Sequence, residues 1–464
     1  MRRRKFLQKS TSILTAVAGL SHYKTFAHPP QLQHVIIGDR VFYQGKLQVL
    51  NLGIDAAGRL VINPGVPEGI PVTNANGKIV SPGFIDILAD NAANPQQTFR
   101  TFEKYKITDG VTTALQMHGG NENVSAYYNY FSGLEHRINY GVSTFVMRIR
   151  NKYPVLKDRM HKVEQNLEQG ALGVSHSIEY QPAPTEELIQ YAVLAKKYDR
   201  PFFLHLRYSS EADELKGVEE AIEIARKTGV RLHIDHLNST GGTFHMADAL
   251  KKIRAANQSG TNITCCVYPY SFWATYLHSR RFDEGWRERY NLNYSDLRLV
   301  GSGERLTRES FLGYRKMMKL AAVPEGTMPF EQTVDLALHE DFCMIGSDGG
   351  IEREPRANSH PRGAGCFSTA VRHGMNLGMS TEKILDKITT APRNLILPAM
   401  KNRGLISEGY QADLVIFDSE KINGRADVAN PNQFSDGIDF VMVNGKIAYQ
   451  NGKLLESAGV AIKY

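Results

Sequence analysis

Three histidines and one aspartate stand where apolar, strand-like runs of the sequence end. These residues are His118, His205, His236 and Asp348. Three imidazoles and a carboxylate that meet at one rim are suited to a zinc ion with an open coordination position. Such an ion lowers the pKa of bound water to about 7, and Asp348 would then accept the proton. We therefore predict a metal site at which water is activated.

Each of these residues also has an ordinary structural interpretation. A histidine beside an apolar run is often a hydrogen-bonded residue of the core or rim, and an exposed loop position would explain His118. Asp348 lies in the segment 346–350, Gly-Ser-Asp-Gly-Gly, which is typical of a turn. His205 and His236 gain support because they occupy equivalent positions on consecutive strands.

The middle of the chain must position these residues, and there apolar runs alternate with amphipathic helical segments. The runs are 79–87, 112–117, 143–147, 172–178, 201–206, 231–237, 262–270 and 341–348. Eight strand–helix units predict an α/β fold of the (β/α)8 TIM-barrel type, with a doubly wound open sheet as the main alternative. In a TIM barrel the C-terminal ends of the strands form one face, where the four side chains would meet.

Both ends of the chain have a different pattern, with short alternating strands separated by Gly, Asn and Pro. Residues 33–78 and 398–464 share this pattern, which predicts one small β-sandwich domain built from both termini. The barrel domain would then occupy 79–397. Within it, the segment 272–329 is too long for a plain strand–helix connection, and we predict a partly helical insertion and candidate lid.

The N-terminus has the three regions of an export signal in order. Arg3 and Arg4 begin a twin-arginine-type motif, a short apolar run follows at 13–20, and Ala27 ends a small-residue cleavage site. We predict a signal peptide over residues 1–27 and a periplasmic or otherwise exported protein. No later run is long and apolar enough to predict a membrane span in the mature chain.

Composition and net charge indicate which kinds of binding partner to expect. The chain has 464 residues, 42% of them hydrophobic and 22% charged, which suffices for a large buried core. It carries 55 basic and 48 acidic side chains, but six of the basic ones lie in the first 27 residues. The rest is nearly neutral, so nucleic-acid binding is not expected. The sequence specifies no oligomeric state.

Longer motifs occur in a fixed order along the chain. They are Ser-Pro-Gly-Phe-Ile-Asp at 81–86, His-Leu-Arg at 205–207, His-Leu at 236–237, Tyr-Pro-Tyr at 268–270, Ile-Gly-Ser-Asp at 345–348, His-Pro-Arg-Gly at 360–363 and the segment 403–415. With these motifs the chain resembles the N-acyl-D-amino-acid deacylases, or D-aminoacylases, of the amidohydrolase superfamily. The resemblance runs from about residue 33 to the C-terminus.

The resemblance implies a metal-dependent hydrolase that cleaves the amide bond of N-acyl-D-amino acids or related conjugates, small molecules with a carboxylate. It implies that His205 and His236 hold zinc and that Asp348 is the catalytic aspartate. It further implies that Arg362 binds the substrate carboxylate through its planar guanidinium, helped by Tyr270.

Three departures from the family pattern bear on the chemistry. The family's His-x-His motif is replaced by Leu88 and Asp90, which removes the histidines of a second metal site. Gly119 stands nearest the position of a cysteine ligand, and neighbouring His118 would supply the third ligand instead. Asn238 takes the place of a substrate-binding lysine, and we expect it to be a substrate-binding residue in turn.

These departures lead to an expectation of about one Zn²⁺ per chain and leave two alternative functions open. The first is an amidohydrolase acting on another amide, cyclic or derived from the cell wall. The second is a non-catalytic binding protein with a degenerate metal site.

Overall fold

The structure is a computed structural model that describes residues 31–90, 96–317, 321–350 and 360–464. The predicted export signal at 1–27 lies outside the described residues. Within the described ranges, no helix combines the length and the apolar character that crossing a membrane would require.

The described residues form strands and helices that alternate through the middle of the chain. The strands are β1 (Leu32–Tyr43), β2 (Lys46–Asp55), β3 (Leu60–Ile62), β4 (Val72–Asn74), β5 (Ile79–Pro82), β6 (Phe84–Asp86), β7 (Ala89–Asp90), β8 (Val111–Asn121), β9 (Asn139–Phe145), β10 (Val174–Ser177), β11 (Phe202–His205), β12 (Arg231–Ile234), β13 (Asn262–Val267), β14 (Thr275–Tyr276), β15 (Leu297–Leu299), β16 (Ala321–Pro324), β17 (Cys343–Ile345), β18 (Gly349–Gly350), β19 (Leu414–Phe417), β20 (Ile438–Val443), β21 (Lys446–Gln450) and β22 (Lys453–Leu454).

The α-helices are α1 (Gln96–Thr108), α2 (Val124–Ser132), α3 (Val146–Lys152), α4 (Leu156–Glu168), α5 (Thr185–Lys197), α6 (Glu214–Thr228), α7 (Met246–Gln258), α8 (Trp286–Tyr290), α9 (Arg308–Arg315), α10 (Val334–Leu338), α11 (Arg362–Asn376), α12 (Thr381–Ile388) and α13 (Thr390–Leu395). Short 3₁₀ turns are found at Arg280–Phe282, Tyr294–Asp296 and Phe330–Gln332.

A parallel sheet of eight strands, counted among the described residues, forms the barrel. In spatial order it runs β6, β8, β9, β10, β11, β12, β13 and β17, which is also the chain order. Every pair along this path is parallel. All eight predicted runs contribute a strand, and the predicted TIM-barrel fold is confirmed.

Side chains join the two ends of this sheet, where β6 faces β17. Asp86 ends β6 and accepts hydrogen bonds from the Ser347 backbone N–H at 3.1 Å and from the Ser347 hydroxyl at 2.5 Å. Lys106 donates to the Asp86 carboxylate at 2.7 Å and to Ser347 Oγ at 2.9 Å. All three side chains are buried, so the seam of the barrel is closed by one ion pair and a shared hydroxyl.

A second sheet contains strands from both ends of the chain, as the sequence predicts. β1 to β5 and β19 to β22 belong to it, and β5 joins the two groups by pairing with both β1 and β19. The predicted barrel run 79–87 is therefore wrong as a single strand, because its first part lies in this sheet. Gly83 makes the break: a Cβ there would lie 2.1 Å from the Thr112 side chain.

The insertion 272–329 has its own small structure. Its described residues include the antiparallel sheet β14, β16 and β15, helices α8 and α9, and two of the 3₁₀ turns. A buried aromatic group stabilises it from within, since Phe282 packs edge-on against both Trp286 and Phe311.

We predict that Lys106→Met destabilises the fold by about 3–5 kcal/mol, because the buried Asp86 carboxylate loses its cation. A urea unfolding curve of the full chain measures this. The matched control is Lys252→Met, which removes a 2.7 Å ion pair to Glu219 on the exposed helix surface and should change little. Equal midpoints for the two variants would contradict the role of the ion pair in closing the barrel.

Candidate metal centre

Three histidines converge at the C-terminal end of the barrel strands. His118 lies within β8, His205 ends β11, and His236 is the second residue after β12. One ring nitrogen from each lies within 4.8 Å of the others. The strand β8 extends to Asn121, so His118 belongs to a strand and not to the loop that its sequence position also allowed.

The outer nitrogen of each imidazole has a hydrogen-bonding partner. The three contacts are His118 Nδ1 with Asp235 Oδ2 at 2.8 Å, His205 Nε2 with Glu179 Oε2 at 2.8 Å, and His236 Nδ1 with Ser239 Oγ at 2.9 Å. Such partners fix the tautomer and orientation of metal-binding histidines. The hydroxyl of Ser239 donates to the His236 carbonyl at 3.2 Å, which leaves its oxygen to accept from Nδ1.

The inner nitrogens consequently face one another and carry the lone pairs. His205 Nδ1 lies 3.1 Å from His236 Nε2. Burial lowers the pKa of His205 to about 4 and holds that of His236 well below its usual value, so both rings are neutral near pH 7. Neutral imidazoles with facing lone pairs are the form that binds zinc, and the residues present fit the predicted ion.

Asp348 lies beside the inner nitrogens, at the end of the last barrel strand. Its carboxylate oxygens are 3.7 Å from His236 Nε2 and 4.0 Å from His118 Nε2. The residue adopts a left-handed backbone conformation with φ of 47°, as His236 does with φ of 27°. The two turns aim both side chains into the same space.

The structure places Arg362 against Asp348. Arg362 Nη2 is 2.6 Å from Asp348 Oδ2, and Nε donates to the Asp348 carbonyl at 2.8 Å. The guanidinium also lies over the Tyr268 ring, 4.5 Å from its centroid. No described residue accepts a hydrogen bond from Nη1, so one edge of the guanidinium is left for a ligand.

A cavity of 460 Å³ contains these groups. All four predicted chemical residues line it, together with Arg362, and the insertion contributes Tyr276 and its neighbours. Tyr270 and Asn238 do not line it. The Tyr270 ring packs against Tyr268 and His360, and Asn238 is fully buried with its amide donating to the Tyr268 carbonyl at 3.1 Å. Their predicted direct contact with a substrate therefore lacks geometric support.

The residues that replace the family's second metal site are of different kinds. Leu88 is fully buried in the apolar interior of the barrel with Leu115 and Met117. It offers no donor atom. The side chain of Asp90 lies outside the described residues.

Sequence reasoning missed three charged residues of the site. Glu179 directly follows the predicted run 172–178, so the strand-end rule that located the histidines could have found it. Asp235 directly precedes His236 inside the same apolar run, and no feature of the sequence sets it apart there. Arg281 comes from the insertion, and no feature of the sequence marked it.

The pKa values of the two carboxylates, Glu179 and Asp235, are shifted in opposite directions. Although burial opposes it, the Arg281 charge lowers the pKa of Glu179 to about 2. Burial raises the pKa of Asp235 to about 6, against the effect of its hydrogen bond with His118. Glu179 is thus a fixed anion behind His205 at neutral pH.

Known proteins resemble this chain in sequence and in fold. The N-acyl-D-glutamate deacylase of Alcaligenes xylosoxydans xylosoxydans is 25% identical over 432 residues, which cover 80% of this chain and 84% of that protein. The structure of the N-acyl-D-glutamate deacylase from Bordetella bronchiseptica, complexed with zinc and a phosphonate inhibitor, superimposes with a TM-score of 0.77 at 22% identity. It covers 94% of this chain and all of its own.

A crystal structure of D-aminoacylase superimposes equally well, with a TM-score of 0.77 at 21% identity over 93% of this chain and 100% of that one. The sequence pattern of the amidohydrolase family matches residues 79–448, from the last strand before the barrel to β21. With its barrel and three histidines at the C-terminal rim, this chain belongs to the amidohydrolase family.

Proposed function

We propose that this protein is a zinc-dependent hydrolase that cleaves the amide bond of N-acyl-D-amino acids. The observation that carries the proposal is the group of three inner histidine nitrogens facing Asp348 within one cavity. The relatives named N-acyl-D-glutamate deacylase and D-aminoacylase support the substrate class. The motif at the N-terminus supports export to the periplasm, which we propose on the sequence alone.

His118 Nε2, His205 Nδ1 and His236 Nε2 would hold the ion, because their other nitrogens are already engaged. Zinc in this position supplies a Lewis acid that polarises an amide carbonyl and acidifies water. The protein contributes three histidines whose outer nitrogens are held by hydrogen bonds, and it leaves the inner nitrogens open to the cavity.

Asp348 moves the proton. Its carboxylate, 3.7 Å and 4.0 Å from two of the ligand nitrogens, accepts a proton from the attacking water and returns it to the departing amine. Arg362 holds this carboxylate in place through Nη2, while its Nε donates to the Asp348 backbone carbonyl. Its remaining Nη1 would donate to the carboxylate of the substrate.

The two alternative functions make different demands on the same cavity. A cyclic or cell-wall-derived amide would use the same ligands and aspartate, so only substrate preference separates it from a deacylase. A non-catalytic binding protein needs no intact donor set. The retention of three oriented histidines, Asp348 and Arg362 in one cavity therefore favours an enzyme, despite Leu88.

The test is a hydrolysis screen of zinc-loaded protein with paired N-acetyl-D- and N-acetyl-L-amino acids, D-glutamate among them. Dihydropyrimidine and hydantoin rings serve as the cyclic amides. We expect release of acetate from D-substrates in preference to their L-partners. Hydrolysis of the rings alone would show an amidohydrolase that acts on cyclic amides, and no turnover with zinc bound would overturn the proposal of an enzyme.

We predict about one zinc ion per chain, because Leu88 removes a donor of the second site. Elemental analysis of demetallated and reloaded protein measures the ratio. His205→Ala and His236→Asn should each lose the ion, since a site with two protein ligands is incomplete. Asparagine is chosen at 236 because it tolerates the left-handed backbone there. Two ions in the wild type would contradict the predicted count, and one ion retained in both variants would show the site to be misplaced.

Asp348→Asn should reduce turnover roughly a hundred- to ten-thousand-fold while zinc remains bound, because an amide cannot accept the proton. Asparagine has nearly the same shape and also adopts φ of 47°, so the turn should survive. The control is Asp283→Asn, which loses a 2.7 Å ion pair with Arg315 outside the cavity and should keep full activity. Wild-type turnover in Asp348→Asn would make this aspartate a turn residue only.

A further inference from the structure

We propose that Arg281, a residue of the insertion 272–329, is a positioning residue for the metal centre. It contacts the partner of His205 and the partner of His236 at the same time. The inference rests on the proposed zinc site and adds a part of the chain that the barrel itself does not supply.

The guanidinium of Arg281 is buried, with 3% of its side chain exposed. Nε and Nη2 donate to Glu179 Oε2 at 3.1 Å and 3.0 Å, and Nη2 also donates to the Ser239 carbonyl at 3.0 Å. One planar group therefore joins the loop after β10 to the loop after β12.

Both residues that accept hydrogen bonds from Arg281 also form a hydrogen bond with a histidine of the site. Glu179 Oε2 is the oxygen that accepts from His205 Nε2, and the Ser239 hydroxyl binds His236 Nδ1. Arg281 thus fixes the distance between the two outer partners, and through them the two imidazoles whose inner nitrogens are 3.1 Å apart. A shift of either loop would change that spacing and weaken a metal bound between them.

The insertion fixes Arg281 in turn. The residue lies in the 3₁₀ turn Arg280–Phe282, and its guanidinium lies 5.0 Å from the centroid of the Trp273 ring. Neighbouring Phe282 is anchored in the aromatic group of the insertion. The insertion therefore contacts the outer partners of both histidines through Arg281.

A purely structural role is the competing explanation, since a buried arginine paired with a buried glutamate could simply attach the insertion to the barrel. Arg315 provides the matched comparison. It stabilises the same insertion from within by donating to the carbonyls of Leu277 and Phe282 at 2.8 Å and 2.7 Å, but it contacts neither partner of the histidines. Any effect of losing insertion packing alone should therefore also follow from its removal.

The experiment measures the zinc dissociation constant of the full chain by competition with a chelator. We expect Arg281→Met to weaken zinc binding about tenfold to a hundredfold, the usual effect of losing a group that orients a ligand. Arg281→Lys should restore part of the affinity, because it keeps the cation without the planar fork. Arg315→Met should bind zinc as the wild type does.

A double variant tests whether Arg281 affects zinc binding through Glu179. Glu179→Gln keeps the shape of the side chain and should weaken zinc binding by a similar factor. If Arg281 acts through Glu179, the combined variant should bind zinc clearly more tightly than the two separate losses would predict if they were additive. Where Arg281→Met fails to fold, Arg281→Lys tests the positioning role, because it keeps the buried cation but loses the planar fork; wild-type zinc affinity in Arg281→Lys would then overturn the inference.

The outcomes separate this inference from the proposed function. Wild-type zinc affinity in Arg281→Met, or equal losses in Arg281→Met and Arg315→Met, would overturn the positioning role and leave the enzyme proposal intact. Absence of stoichiometric zinc in the wild-type protein would overturn both.

Discussion

The buried ion pair between Lys106 and Asp86 joins the first and last strands of the barrel. Because β6 and β17 are linked through side chains, the lysine and the Ser347 hydroxyl together hold the seam. Ser347 precedes Asp348, so the same contacts bring the catalytic candidate to the rim beside the histidines of β8, β11 and β12. A charge buried without a partner is costly, and this cost ties the closure of the fold to the placement of the site.

Charge pairing continues through the wall of the cavity. Arg362 accompanies Asp348, Arg281 accompanies Glu179, and His118 donates to Asp235. Each anion is thereby kept as a hydrogen-bond acceptor aimed at a defined atom, while the inner histidine nitrogens stay neutral and open. The metal-binding nitrogens are oriented before any ion binds, because each carboxylate is held by a charged or hydrogen-bonding partner. One of these partners, Arg281, comes from the insertion.

Much of the fold could be predicted, because the spacing of apolar residues indicates which segments are strands or helices and their order along the chain indicates how they are arranged. Eight apolar runs alternating with helical segments match the eight barrel strands, and the short strands at both ends share one sheet. The boundary at Gly83 could not be seen in the same way. The residues on both sides of it, such as Val80 and Phe84, are equally apolar and equally buried. Only the close approach of Thr112 to Gly83 shows where one sheet ends and the other begins.

The rule that functional side chains follow the ends of barrel strands was enough to select His118, His205, His236 and Asp348 from the sequence. Parallel strands bring their C-terminal residues to one face, and this does not depend on the conformation of the loops. Contacts between loops follow no such rule. Arg281 reaches Glu179 across 102 positions of the chain, and the path of the insertion, set by its aromatic packing, decides that meeting. Tyr270 and Asn238 lie outside the cavity lining for the same reason. The sequence gives the residue type, but the direction in which a loop side chain points depends on what packs against it.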